Sequence, residues 1–259
     1  MRGDNSTDKK GGRKMTDTVR GLIFDYGGTL DTGGRHWGKV LWQAYADNGV
    51  GVTEPQFRDA YVYAERTLGR NPIIRPDYTF RRTLDVKLAL QIERLCSEKS
   101  LDLTAGESER LRERLLDNVY EGVRRQTAES RRVLTELHGR YPMALVSNFY
   151  GNISVVLDEF GLGGLFSHVI ESAVVGVRKP DPRIFTLGVE ALGLAPGETM
   201  VIGDSYDKDI VPAKAAGCRA VWFKGEGWTE EAHDETLPDA IITGLGQLTL
   251  NVLQDNLSK

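Results

Sequence analysis

The rhythm of apolar positions changes twice along this chain. Apart from Arg20, residues 19–24 are apolar without strict alternation, the pattern of a strand buried on both faces of a parallel sheet. A helical rhythm then takes over. Val40, Leu41, Ala44 and Tyr45 share one face of a helix predicted over 37–48, and Thr53 with Pro55 opens a second that ends near Gly69. Two prolines make 71–79 a loop, and Leu84, Leu88, Ile92 and Leu95 mark a third helix over 80–96. The Thr104 and Glu107 pair is a capping box for a fourth, with Leu111, Leu115 and Val119 inward.

From Glu129 the pattern changes again. A separate helix through Val133, Leu134 and Leu137 is expected to stop near Gly139, and strand then alternates with helix. The predicted strands are 143–147, 168–171, 200–203, 220–223 and 240–243, with helices starting near Asn152, Asp181, Asp207 and Leu245. Such alternation specifies a parallel sheet with right-handed crossovers. The fold class is therefore α/β: a Rossmann-like core at 16–31 and 129–259, interrupted by an all-helical insert at 32–128. Residues 1–15, polar and lysine-rich, read as a disordered leader, with Met15 as an alternative start.

Composition narrows the partners. The 259 residues carry a formal charge of -4, which argues against nonspecific binding to nucleic acid or anionic membrane. No apolar run approaches the ~20 residues that span a bilayer, so a cytoplasmic location is expected. Cys96 and Cys218 lack metal-ligand spacing and are expected to be reduced and packed.

The chemistry-bearing residues fall at one edge of the predicted sheet. Asp25 ends the first strand and opens into Gly27 and Gly28, whose backbone can turn its N–H groups toward an anion. Ser147 and Asn148, Lys179, and Asp204 with Asp209 follow later strands. Phosphoryl transfer through a covalent aspartate needs a carboxylate nucleophile, a small hydroxyl, a lysine and acids for magnesium. All four types are present.

Asp25-Tyr26-Gly27-Gly28-Thr29-Leu30, Leu145-Val146-Ser147-Asn148, Arg178-Lys179-Pro180-Asp181-Pro182-Arg183-Ile184-Phe185 and Gly203-Asp204-Ser205-Tyr206-Asp207-Lys208-Asp209 occur in that order. Together they resemble the four motifs of the haloacid dehalogenase superfamily, and the insert after the first motif resembles its helical C1 cap. The resemblance implies a magnesium-dependent, phosphatase-like hydrolase acting on a small phosphorylated substrate, as monomer or homodimer. Carried over, it makes Asp25 the nucleophile, Ser147 the phosphate-oxygen donor beside Asn148, and Lys179 the group that steadies phosphate and nucleophile. Gly27, Gly28, Ser147, Asn148 and Lys179 would bind phosphate. Asp25, the Gly27 carbonyl and Asp204 would hold magnesium, with Asp209 beside them or orienting Lys179.

One position departs from the pattern. The family's phosphatases carry a second aspartate two residues after the nucleophile as general acid and base, and here that residue is Gly27. Three readings follow. The substrate has a good leaving group, such as an acyl phosphate or phosphoanhydride; or Asp31 or His36 substitutes as the acid; or the protein binds phosphate ligands in a regulatory role without turnover. The complete fourth motif argues against a metal-free dehalogenase, and no cap lysine has a clear Schiff-base setting for a phosphonatase. Arg35, Trp37, Arg75, Arg81 and Arg82 are the cap candidates for specificity, either meeting a second anionic group or remaining solvated.

Overall fold

The computed structural model describes residues 18–229, 231–248, 252 and 253. Six parallel strands form one sheet in the order β3-β2-β1-β4-β5-β6. They are β1 (Gly21–Phe24), β2 (Met143–Ser147), β3 (His168–Glu171), β4 (Thr199–Gly203), β5 (Arg219–Phe223) and β6 (Ala240–Ile242). Every predicted strand is present within one or two residues of its expected ends. The first strand of the chain lies in the middle of the sheet, registered with β2 through Phe24 and Leu145 and with β4 through Phe24 and Ile202.

Alternation along β1 explains how the sheet is covered. Leu22 and Phe24 face one side and Ile23 the other, all fully buried. On the Ile23 side, Ala144, Val146 and Val201 pack against Ile184, Phe185 and Val189 of α7 (Arg183–Leu192) and Ala213 of α8 (Val211–Ala215). The opposite side joins a larger cluster that includes the helices inserted after β1: α1 (Trp37–Asp47), α2 (Glu54–Arg70), α3 (Phe80–Ser97) and α4 (Ala105–His138). Insert and sheet thus share continuous apolar packing. The crossovers are completed by α5 (Ile153–Glu159) and by α6 (Ser172–Val175), a short helix without a counterpart in the sequence reading.

Two expectations are corrected. The helix expected to begin anew at Glu129 is the second half of α4, a single 34-residue helix that crosses the boundary drawn between 128 and 129. On either side of that boundary Thr127 and Ser130 are both buried and bonded. The Thr127 hydroxyl donates to the Val123 carbonyl at 2.8 Å and the Ser130 hydroxyl to the Leu30 carbonyl at 2.8 Å. The helix expected near Asp207 begins as a π-helical turn over Tyr206–Ile210 before α8. Of the helix expected from Leu245, a 3₁₀ turn over Leu245–Gln247 is present and most of the remainder lies outside the described residues, as does the 1–15 leader. Among the described residues no helix is long and apolar enough to cross a membrane.

Candidate active site

The carboxyl end of β1 supplies the first group. The Asp25 N–H donates to the Ile202 carbonyl at 2.9 Å, so the backbone is still laddered to β4 where the side chain emerges. The chain then turns sharply. Gly28 has φ of 102°, and a Cβ there would lie 2.4 Å from the Asp204 carboxylate oxygens; only glycine allows the turn to approach so closely. Asp31 closes the loop. One of its oxygens accepts the Gly28 N–H at 2.7 Å, the other the Trp37 indole N–H at 3.1 Å.

The loop before α7 supplies the second. The Asn148 side chain grips the Lys179 backbone twice, its amide donating to the Lys179 carbonyl at 3.1 Å and its oxygen accepting the Lys179 N–H at 2.9 Å. The Lys179 ammonium then donates to Asp25 Oδ1 and, at 2.6 Å, to Asp209 Oδ1. Asp209 reaches it from the π turn, where the Ser205 N–H holds its other oxygen at 3.0 Å. The Thr29 hydroxyl lies 3.2 Å from Asp25 Oδ2 and 2.9 Å from Asp204 Oδ1. Carboxylate oxygens of Asp25, Asp204 and Asp209 fall within 4.8 Å of one another.

Three acids against one lysine set the electrostatics, with Asp25, Asp209 and Lys179 buried and Asp204 half-buried. Burial raises the Asp25 carboxyl to about 6 even though Lys179 pulls it down, and Asp209 adds to the rise. Burial also lifts Asp204 well above the usual carboxylate range, with Asp209 and Asp25 reinforcing it. Burial disfavours the charge on Lys179, but Asp209 and Asp25 outweigh it and hold the ammonium protonated. An all-oxygen cluster with excess negative charge is the donor set that suits a hard divalent cation such as magnesium.

Ser147, buried at the end of β2, lines the same cleft as Asp25, Gly27, Gly28, Asn148, Lys179, Asp204 and Asp209. At Gly27 the cleft is open: a Cβ would meet nothing nearer than the Trp37 indole nitrogen at 3.9 Å. The two acid candidates separate. Burial raises Asp31 to about 7, with Asp25 adding to the rise and the Gly28 amide opposing it. Burial lowers His36 to about 4, and its Nδ1 accepts the Gly38 N–H as the N-cap of α1.

The cap arginines do not enter the cleft. Arg35 pairs with Glu226, Arg75 with Asp77, Arg81 with Asp117 and Arg82 with Asp85, all on the surface, as interleaved acids allow. Trp37 does line it. So do Tyr61, Glu65, Lys87 and Tyr150, which the sequence reading passed over. Glu65 and Lys87 each sit one position from a buried helical stripe, where a charge reads as solvated; the aromatic pair directly after Ser147-Asn148 was the available signal.

A parallel α/β sheet with four polar segments converging beyond its carboxyl edge is where this class of fold places its ligand site. Residues 19–217 match the family model of haloacid dehalogenase-like hydrolases, and the chain belongs to that family. It is 41% identical over 90 residues to the phosphoserine phosphatase of Thermus thermophilus, a segment covering 35% of each chain. It is 38% identical over 99 residues to the glyceraldehyde 3-phosphate phosphatase of Pyrococcus furiosus, covering 38% of this chain and 39% of that one. The matches thus span well under half the length of these curated relatives. Among solved structures, the HAD-hydrolase YfnB from Bacillus subtilis, bound to magnesium, aligns with a TM-score of 0.57 at 18% identity, covering 91% of this chain and 99% of that one. A dehalogenase with an intermediate complex aligns with a TM-score of 0.60 at 17% identity, covering 90% and 97%. These likenesses are of fold.

Proposed function

We propose that the protein is a magnesium-dependent phosphatase of small phosphorylated metabolites, working through a phosphoryl group carried on Asp25. The observation that carries this is the Lys179 ammonium bridging Asp25 and Asp209 beside Asp204 in one buried cleft. The phosphatase names of the curated relatives agree with it. Magnesium, held by Asp25, Asp204 and the Gly27 carbonyl, would supply charge neutralisation for the phosphoryl oxygens. Asp209 already gives one oxygen to Lys179 and the other to the Ser205 N–H, which suits it to positioning the lysine.

The remaining work falls to the chain. Asp25 attacks phosphorus as the leaving-group oxygen departs, and water then displaces Asp25 from the same phosphorus. Ser147 and the Gly27 and Gly28 backbone hold phosphate oxygens, while Lys179 keeps Asp25 ionised and offsets the charge that gathers during transfer. Gly27 offers no proton, so leaving groups that need none, acyl phosphates and phosphoanhydrides, are the favoured substrates. A second reading is supported by Asp31, which is bonded to Gly28 and to the same Trp37 indole that a side chain at position 27 would approach. In that reading Asp31 acts as general acid and base, and alkyl phosphates are substrates too.

Phosphate release from acetyl phosphate, with and without magnesium, tests the core of the proposal. Metal-dependent release abolished in Asp25→Asn is expected. Turnover that survives Asp25→Asn, or that ignores magnesium, refutes it.

A further inference from the structure

Beyond the phosphate end, the cleft of about 1500 Å³ runs under the inserted helices to a cluster built from three separate elements. Glu65 comes from α2, Lys87 from α3 and Tyr150 from the loop after β2. The Lys87 ammonium forms an ion pair with Glu65 Oε1 at 2.6 Å, and the Tyr150 hydroxyl donates to Glu65 Oε2 at 3.3 Å. The ammonium also lies 5.6 Å from the centre of the Trp37 ring and 5.8 Å from that of Tyr150. The lysine side chain is 12% exposed. Tyr61 completes this wall, stacked on Trp228 with ring centres 5.0 Å apart.

This cluster has no assigned role in the phosphoryl chemistry, and its charge balance is informative. A pocket built to take a second phosphate or a carboxylate would present a cation in excess. Here the enclosed cation is already neutralised by Glu65, whose charge keeps Lys87 protonated against the cost of burial. His36, neutral near pH 7, adds nothing positive. Arg35, Arg75 and Arg81 are paired on the outer surface, while Arg70, which lines the cleft, and Arg58, over the Trp228 ring, are exposed to solvent rather than enclosed.

Resting on the phosphatase reading, and narrowing its substrates to acyl phosphates and phosphate esters, we infer that the Glu65–Lys87–Tyr150 cluster is the leaving-group pocket and selects a leaving group whose body beyond the bridging oxygen has zero net charge and presents both a donor and an acceptor. A hydroxyl-bearing group meets this by bonding to the closed pair, and an amine with a carboxylate meets it by pairing each charge with its opposite. A leaving-group body of net negative charge meets Glu65 with the enclosed ammonium beside it already paired.

Three phosphate monoesters with three-carbon leaving groups test this: glycerol 1-phosphate, O-phosphoserine and 3-phosphoglycerate, whose leaving groups are neutral, zwitterionic and anionic. Each kcat/KM is divided by the same protein's value on acetyl phosphate, which has almost no leaving-group body to read. At least one of the first two is expected to exceed 3-phosphoglycerate by about tenfold or more, since like-charge juxtaposition costs several kcal/mol and tenfold is only about 1.4. Which one leads tells the neutral from the zwitterionic source.

Glu65→Gln frees the ammonium and should raise 3-phosphoglycerate relative to the others by a similar factor. The exchanged pair Glu65→Lys with Lys87→Glu, which keeps both charges matched if the single variant does not fold, should retain the original order. Wild-type preference for 3-phosphoglycerate overturns the inference, as does an unchanged ratio in folded Glu65→Gln. Failure of the phosphatase reading looks different: wild-type protein then releases no phosphate from any ester or from acetyl phosphate.

Discussion

Restoring a carboxylate at position 27 separates the two readings of the chemistry. Gly27→Asp places a side chain where the nearest atom to its Cβ is the Trp37 indole nitrogen at 3.9 Å, and the glycine's backbone is not in the left-handed region, so the residue enters without collision or backbone strain. Its carboxylate would arrive close to the indole N–H that Asp31 already accepts at 3.1 Å. General acid and base assistance is commonly worth about 100 to 10,000-fold, or roughly 3 to 5 kcal/mol of barrier at 1.36 kcal/mol per factor of ten. That gain applies only to leaving groups that need a proton.

The assay is magnesium-dependent phosphate release across esters of graded leaving-group basicity, with acetyl phosphate as the proton-independent reference. If Gly27 leaves the protein without an acid, log kcat/KM falls steeply with leaving-group basicity in the wild type and flattens in Gly27→Asp, which gains at least about 100-fold on alkyl phosphates and little on acetyl phosphate. If Asp31 is already the acid, the wild-type dependence is shallow, and Asp31→Asn steepens it. A wild-type dependence that is steep and unmoved by a folded, magnesium-responsive Gly27→Asp refutes the reasoning that position 27 controls proton transfer.

Three further outcomes follow from the geometry. Lys179→Met leaves the Asp25 and Asp209 carboxylates buried and unpaired, a loss of about 3 to 5 kcal/mol. It should lower Tm by roughly 6 to 20 °C, with magnesium recovering part of it; a Tm equal to wild type contradicts the bridging role. Asp31, raised from 3.8 to about 7, contributes no pH dependence below 3.8, where both states hold the proton. As pH rises from there to about 7 the unfolded chain ionises first, so stability is lost, levelling above 7. In metal-free denaturant unfolding, the wild type should therefore lose about 2 to 3 kcal/mol more than Asp31→Asn between pH 5 and pH 8, at 1.36 kcal/mol per unit; parallel profiles refute the shift. Gly38→Ala would place its Cβ 1.2 Å from the Trp228 ring, expelling it from its stack on Tyr61. A cost of about 1 to 3 kcal/mol and a red-shifted tryptophan emission are expected, and an unchanged spectrum would show that Trp228 is not held there.

The sheet was legible because its central strands β1, β2, β4 and β5 are short, mostly apolar runs buried on both faces, and the half-exposed edge strands β3 and β6 fit the strand–helix alternation. Of the candidate site, what could be read were the groups attached directly to strand ends. Asp25, Ser147 and Asp204 need only the strand order to bring them together, while Lys179, in the loop before α7, was read from its motif. What stayed hidden depends on helix rotation and loop reach. α4 was divided at Glu129, where the sequence pattern changes, although the Thr127 and Ser130 hydroxyls on either side of that point bond to the Val123 and Leu30 carbonyls within one continuous helix. The arginines of the insert were chosen from the stretches expected to face the site, with solvation as the alternative, and the alternative holds: an exposed guanidinium with an acid three residues or one helix away is satisfied where it stands. Lys87 was overlooked for the opposite reason, since one step of 100° around a helix separates a solvated lysine from an enclosed one.

Gly27 shows the same limit from the side of chemistry. Counting positions from Asp25 says that an acid is missing, because a motif records order along the chain. Space records something else. The turn forced by Gly28 returns Asp31 to the Gly28 N–H and brings it to the Trp37 indole, the nearest neighbour of the empty place at position 27. A carboxylate six residues from Asp25 thereby stands beside the gap left at two. The burial that raises Asp31 to about 7 gives it a proton to lend near neutral pH, which an exposed aspartate lacks. The open place at 27 and the buried acid at 31 thus adjoin one indole, and the leaving-group series, read in Gly27→Asp and Asp31→Asn together, measures which of the two positions moves the proton.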